Sequence, residues 1–123
     1  PMNKKVLIAD DEQNIVISLE FLMKREGFEV VVANDGEEAI RRIRADQPDL
    51  VLLDVMMPKK SGFEVCQEIR SDPEMAGVRI LMLTAKGRDT EVAKGLALGA
   101  DAYMTKPFST RELVDKVRSM LEQ

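Results

Sequence analysis

The sequence predicts an open α/β sandwich, a five-stranded parallel sheet with five helices covering both faces. Three observations carry this. Five short apolar runs alternate with five stretches of helical period. Two of the runs are almost continuously apolar, the pattern of parallel strands buried on both sides. Helix caps and stops also stand at the expected joints.

The elements follow in order. Val6-Leu7-Ile8-Ala9 is the first strand and ends in Asp10-Asp11-Glu12. Ile15, Leu19, Leu22 and Met23 then lie on one face of a helix, and Gly27 stands where it should stop. Val30-Val31-Val32 is the second strand. Asp35-Gly36-Glu37-Glu38 opens a second helix marked by Ala39, Ile40 and Ile43. Pro48 falls in the next connection, and Leu50-Val51-Leu52-Leu53 is a strand ending at Asp54. Ser61-Gly62-Phe63-Glu64 reads as a capping box before a helix marked by Phe63, Cys66 and Ile69. Pro73 lies in the connection to Ile80-Leu81-Met82-Leu83, which ends in Thr84-Ala85. Val92, Leu96 and Ala97 mark the fourth helix, stopped by Gly99. The weakest strand, Ala102-Tyr103-Met104, ends in Thr105-Lys106-Pro107. A second capping box, Ser109-Thr110-Arg111-Glu112, opens a last helix with Leu113, Val114, Val117 and Leu121 inside. No repeat, low-complexity tract or long linker interrupts, so residues 1–123 read as one domain.

Composition narrows the chemistry. With 45% hydrophobic and 33% charged residues, the chain can build a core under a soluble surface. A net charge of −4 argues against direct binding of nucleic acid or an anionic membrane. The basic spots at Arg41-Arg42-Ile43-Arg44 and Lys59-Lys60 read as solvated faces. No apolar run approaches the ~18 residues of a membrane span, and the N-terminus lacks a signal-peptide core. The one cysteine, Cys66, permits no internal disulfide, which suits the cytoplasm, and its apolar neighbours predict a buried thiol. Histidine is absent. That removes the usual acid and base at neutral pH, the commonest zinc ligand and every Ser-His-Asp arrangement. Carboxylates, hydroxyls and lysine must do the chemistry.

Ligands of open parallel sheets bind beyond the carboxyl ends of the strands. Asp10, Asp11, Asp54, Thr84 and Lys106 stand at those ends here. Singly, each has a plainer reading as a helix cap, an Asx turn or a loop residue. Their placement at the ends of four strands gives the set its weight. Three aspartates against one lysine leave the rim two negative charges in excess, which one divalent cation would neutralise. Hard oxygen ligands suit Mg²⁺, with Mn²⁺ as an alternative. Such a site could then accept a phosphoryl group, with Lys106 and the Thr84 hydroxyl on its oxygens.

These residues resemble the receiver domain of two-component response regulators. The resemblance runs from Lys4 to Leu121 and rests on four segments. They are Val6-Leu7-Ile8-Ala9-Asp10-Asp11-Glu12, Leu52-Leu53-Asp54-Val55-Met56-Met57-Pro58 with Ser61-Gly62, Leu83-Thr84-Ala85, and Gly99 through Phe108. It implies a flavodoxin-like (βα)5 fold of strand order 2-1-3-4-5. It implies that Asp54 is the phosphoryl acceptor and that Mg²⁺ is held by Asp11, Asp54 and the Met56 backbone carbonyl, with Asp10 acting through water. Lys106 would pair with the phosphoryl group, Thr84 and Tyr103 would form a coupled switch, and the Lys106-Pro107 bond would be cis. Met56 and Lys86 would tune phosphoryl lifetime. The implied donor is a phosphohistidine on a sensor histidine kinase or a histidine phosphotransfer protein. The implied role is a cytoplasmic signalling switch with slow autodephosphorylation, not a turnover enzyme, with any effector domain lying outside this chain. Output is expected from the surface between Asp89 and Leu121. Many relatives dimerise there through charged pairs, for which Lys94, Asp101, Glu112 and Arg118 are candidates. Ala102 departs from the pattern of those dimers, which carry a second aspartate there.

Three other readings share parts of the pattern. A flavodoxin-like cofactor binder would need small residues where Asp10-Asp11-Glu12 stand. A phosphatase with an aspartyl nucleophile would need a second carboxylate at position 56, which is methionine. A receiver-shaped adapter that takes no phosphate would not require the intact acidic set.

Overall fold

The computed structural model describes residues 3–85 and 88–122. Within them, five strands and five helices alternate. They are β1 (Lys5–Ala9), α1 (Gln13–Arg25), β2 (Glu29–Ala33), α2 (Gly36–Asp46), β3 (Leu50–Asp54), α3 (Gly62–Arg70), β4 (Arg79–Ala85), α4 (Asp89–Ala97), β5 (Ala102–Lys106) and α5 (Thr110–Leu121). The strands form one parallel sheet in the order β2-β1-β3-β4-β5, as expected from the resemblance.

Alternation along each strand divides the core between the two faces. Val6 and Ile8 of β1, Leu50 and Leu52 of β3, and Leu81 and Leu83 of β4 pack against α1 and α5. Leu7, Ala9, Val51, Leu53, Ile80 and Met82 point the other way, toward α2 and α3. Every residue of β3 is buried, which explains its uninterrupted apolar run.

Local signals place the helices. Ser61 caps α3 in a closed capping box, and the Ser109 side chain accepts from the Glu112 N–H at the start of α5 (3.0 Å). Gly27 and Gly99 take positive φ just beyond α1 and α4.

Two inner faces differ from the sequence expectation. In α1 the deeply buried stripe starts at Val16, and Ile15 is only half-buried. In α4 the buried residue is Gly95, while Leu96 and Ala97 face outward. A β-carbon on Gly95 would sit 3.3 Å from Met82 Cε, so the bare glycine lets α4 lie close on β4. Hydrophobic spacing could not reveal a face whose contact residue has no side chain.

Candidate functional site

The sheet brings the expected residues to one rim. Adjacent strands β1 and β3 pair Ala9 with Leu53, so the next residues, Asp10 and Asp54, stand side by side. Register along β4 and β5 sets Thr84 beside Thr105 and Ala85 beside Lys106.

Asp10 is fully buried. Its Oδ1 accepts the Glu12 backbone N–H (2.9 Å), and its Oδ2 accepts from Lys106 Nζ (2.9 Å). Lys106 also donates to Asp54 Oδ1 (3.3 Å). Asp10, Asp11 and the nearly buried Asp54 each offer a carboxylate oxygen within 4.8 Å of the others.

One ammonium therefore serves two buried carboxylates. Burial, and then the charge of Asp10, push the Asp54 carboxyl up to about 6; Lys106 and the Met56 backbone N–H oppose this only in part. Burial works against the Lys106 ammonium, but its bond to Asp10 and the charges of Asp54 and Asp10 outweigh that and leave its pKa raised. A hard, oxygen-only donor set with surplus negative charge fits a small divalent cation such as Mg²⁺. Asp10, Asp11 and Asp54 would hold it. Met56, the further expected ligand through its carbonyl, lies on the loop that follows Asp54, with its side chain exposed.

Thr84 is buried, and its hydroxyl donates to the Ala85 carbonyl (3.3 Å). Tyr103 is 44% exposed and lines a groove with Leu96, Glu112 and Lys116. The Lys106-Pro107 peptide is cis. Lys86 lies outside the described residues.

Three of the charged candidates on the expected output face, Asp101, Arg118 and Lys94, have intramolecular partners. Asp101 Oδ2 accepts from Arg70 Nη2 (2.7 Å) and from the Ile80 N–H (2.7 Å). Arg118 bonds Glu26, just beyond the end of α1, and Lys94 sits over the Phe63 ring, 4.6 Å from its centre. The exposed Glu112 faces the groove beside Tyr103. The basic spots behave as expected of solvated faces: Arg44 pairs with Glu68 and Asp72, and Lys60 with Glu68.

Gly62 is a structural contributor that the sequence marked only as a motif residue. Its N–H donates to the Val55 carbonyl (2.9 Å), and a β-carbon there would lie 2.3 Å from the Asp54 carbonyl oxygen. Only glycine lets α3 start this close to the end of β3.

A 2-1-3-4-5 parallel sheet with an acidic pocket and one lysine at its carboxyl rim defines a receiver domain, a class of signalling switch. The chain belongs to the response regulator receiver domain family, whose model matches residues 6–118. It is 48% identical over 122 residues to the alkaline phosphatase synthesis transcriptional regulatory protein PhoP of Bacillus subtilis. That match covers 99% of this chain but 50% of the relative, so the chain spans about half the relative's length. Among solved structures, a putative response regulator from Chloroflexus aurantiacus superposes with a TM-score of 0.95 at 35% identity, covering 99% of this chain and 100% of that one. The chemotaxis response regulator CheY4 of Vibrio cholerae gives 0.91 at 31% identity, covering 98% and 100%.

Proposed function

We propose that Asp54 accepts a phosphoryl group from a phosphohistidine on a sensor kinase or phosphotransfer protein. The observation that carries this is the bridge from Lys106 to both Asp10 and Asp54 beside the exposed Asp11. An Asp54 carboxylate oxygen forms the new P–O bond as the N–P bond to the donor imidazole breaks. The imidazole nitrogen keeps the bonding electrons and takes its proton from solvent. These 123 residues contain no histidine, so the donor lies outside them.

Asp10, Asp11, Asp54 and the Met56 carbonyl would hold Mg²⁺, or Mn²⁺ in its place. When bound, the cation would supply two positive charges against the carboxylates and the incoming phosphoryl oxygens. Lys106 would shift from the carboxylates to a phosphoryl oxygen. Thr84 would exchange its bond to Ala85 for one to the phosphoryl group, and Tyr103 would turn inward. The altered surface of α4, β5 and α5 would engage an output partner or effector domain. Slow hydrolysis of the acyl phosphate would reset the switch.

Residues 1–123 would act as one cytoplasmic receiver unit, any effector lying outside them. Among the described residues no helix is long and apolar enough to cross a membrane. Direct nucleic-acid binding is not proposed, because the net charge is −4. A homodimer through α4-β5-α5 that drew on Asp101 and Arg118 would compete with their pairs to Arg70 and Glu26.

Acetyl phosphate with Mg²⁺ should add the mass of one phosphoryl group to the wild type and none to Asp54→Ala. Full labelling of Asp54→Ala would reject Asp54 as the acceptor. Sedimentation with and without beryllofluoride tests the dimer.

A further inference from the structure

The start of α2 does more than open a helix. The Gly36 N–H donates to the Pro58 carbonyl on the loop leaving Asp54 (3.2 Å). A β-carbon on Gly36 would stand 2.0 Å from the Lys60 carbonyl oxygen and 2.6 Å from its carbonyl carbon. Those are backbone atoms, so no rotamer change can relieve the clash.

The neighbouring residues tighten the same contact. Asp35 caps α2 by accepting the Glu38 N–H (2.8 Å) and pairs with Lys59 (3.6 Å). Lys59 stands at φ 70, in the left-handed region, and the Lys60 N–H closes the turn on the Pro58 carbonyl (2.8 Å). At its far end the loop is held by the bond from Gly62 to Val55. The segment carrying Met56 is thus fixed at two points, each through a residue without a β-carbon.

We infer that Gly36 is a positioning residue for the acidic pocket, fixing the loop that sets the Met56 backbone against Asp54. The inference rests on the reading that this pocket takes a divalent cation. A methyl group at position 36 must displace either α2 or the loop. Ala39, Ile40 and Ile43 anchor α2 in the core, whereas Met56, Pro58 and Lys59 are exposed. The loop is the softer body, so the displacement goes toward the pocket.

Gly36→Ala tests this beside two controls. Gly77→Ala adds a β-carbon that meets nothing within 4 Å, and Ile43→Val weakens the same core layer away from the loop. Mg²⁺ affinity is read from amide shifts of Asp11 and Met56, and loop order from metal-free hydrogen exchange at Gly62. For Gly36→Ala we expect Mg²⁺ binding about tenfold weaker, as for loss of a group supporting a metal ligand, with faster exchange at Gly62. Both controls should keep wild-type affinity. A folded Gly36→Ala with wild-type affinity and wild-type exchange overturns the inference. Should Gly36→Ala not fold, Asp35→Ala decides: it removes the cap and the Lys59 pair, and unchanged affinity and exchange would again overturn it. A wild type with no Mg²⁺ response would sink the metal reading alone, and exchange at Gly62 would still decide the role of Gly36.

Discussion

Replacing Asp54 with asparagine should make the metal-free protein more stable. Asp54 is nearly buried beside Asp10, and Lys106 cannot neutralise both. Its carboxyl is raised from 3.8 to about 6, chiefly by burial and then by the Asp10 charge. Between those values the folded state holds a proton that the unfolded chain has released. Stability attributable to this group is therefore lost as pH rises from about 4 to about 6. Above that window the ionised carboxylate costs roughly 2–3 kcal/mol. Asparagine keeps the size and an acceptor oxygen for Lys106 but carries no charge. In EDTA at pH 7, Asp54→Asn should gain that amount, a rise in Tm on the order of 10 °C for a domain of this size. Urea unfolding at a series of pH values is the assay. The gain should shrink toward pH 4, and saturating Mg²⁺ should narrow it at pH 7 by binding the wild type better. A variant no more stable than wild type at pH 7, or a gain independent of pH, would refute the charge-surplus argument.

Lys106→Ala should leave Asp10 and Asp54 without their ammonium, destabilise the metal-free fold by about 3–5 kcal/mol, and keep Mg²⁺ binding. Beryllofluoride should then no longer shift the Thr84 and Tyr103 resonances, and a wild-type shift pattern would contradict the role given to the lysine. Cys66 is fully buried, bonds the Leu98 carbonyl, and has its thiol pKa raised by burial. A maleimide at pH 7 should label it only as fast as the protein opens, and labelling at the rate of a free thiol would show the site to be accessible. Asp101→Ala should strand the Ile80 N–H and Arg70, costing about 1–3 kcal/mol in thermal or urea unfolding. No loss would mean that solvent replaces Asp101 at both groups.

Much of this protein was legible in its sequence because burial on both faces writes itself as continuous apolar runs. Val6–Ala9, Leu50–Leu53 and Ile80–Leu83 became the three central strands, and the residues after them became the rim. Asp10, Asp54 and Lys106 meet as expected because parallel strands share one carboxyl edge. The inner face of α4 was not legible, since its contact is made by Gly95 and leaves no hydrophobic signal. Nor was the hold of Gly36 on Pro58 and Lys60, because a meeting of backbone atoms across two loops has no side-chain pattern. Asp101 looked like an interface charge; its bonds to Arg70 and Ile80 appear only once α3 is laid beside β4 and β5.

The sheet also acts as a partition. Side chains beneath α1 and α5 form one oily compartment and those beneath α2 and α3 another, with a layer of paired backbone between them. Volume lost in one compartment cannot be refilled from the other, so defects on opposite sides should add without interacting. The outer surfaces of the two helical layers are thereby free to diverge separately, while the acidic rim, hung from strands that serve both, stays in place.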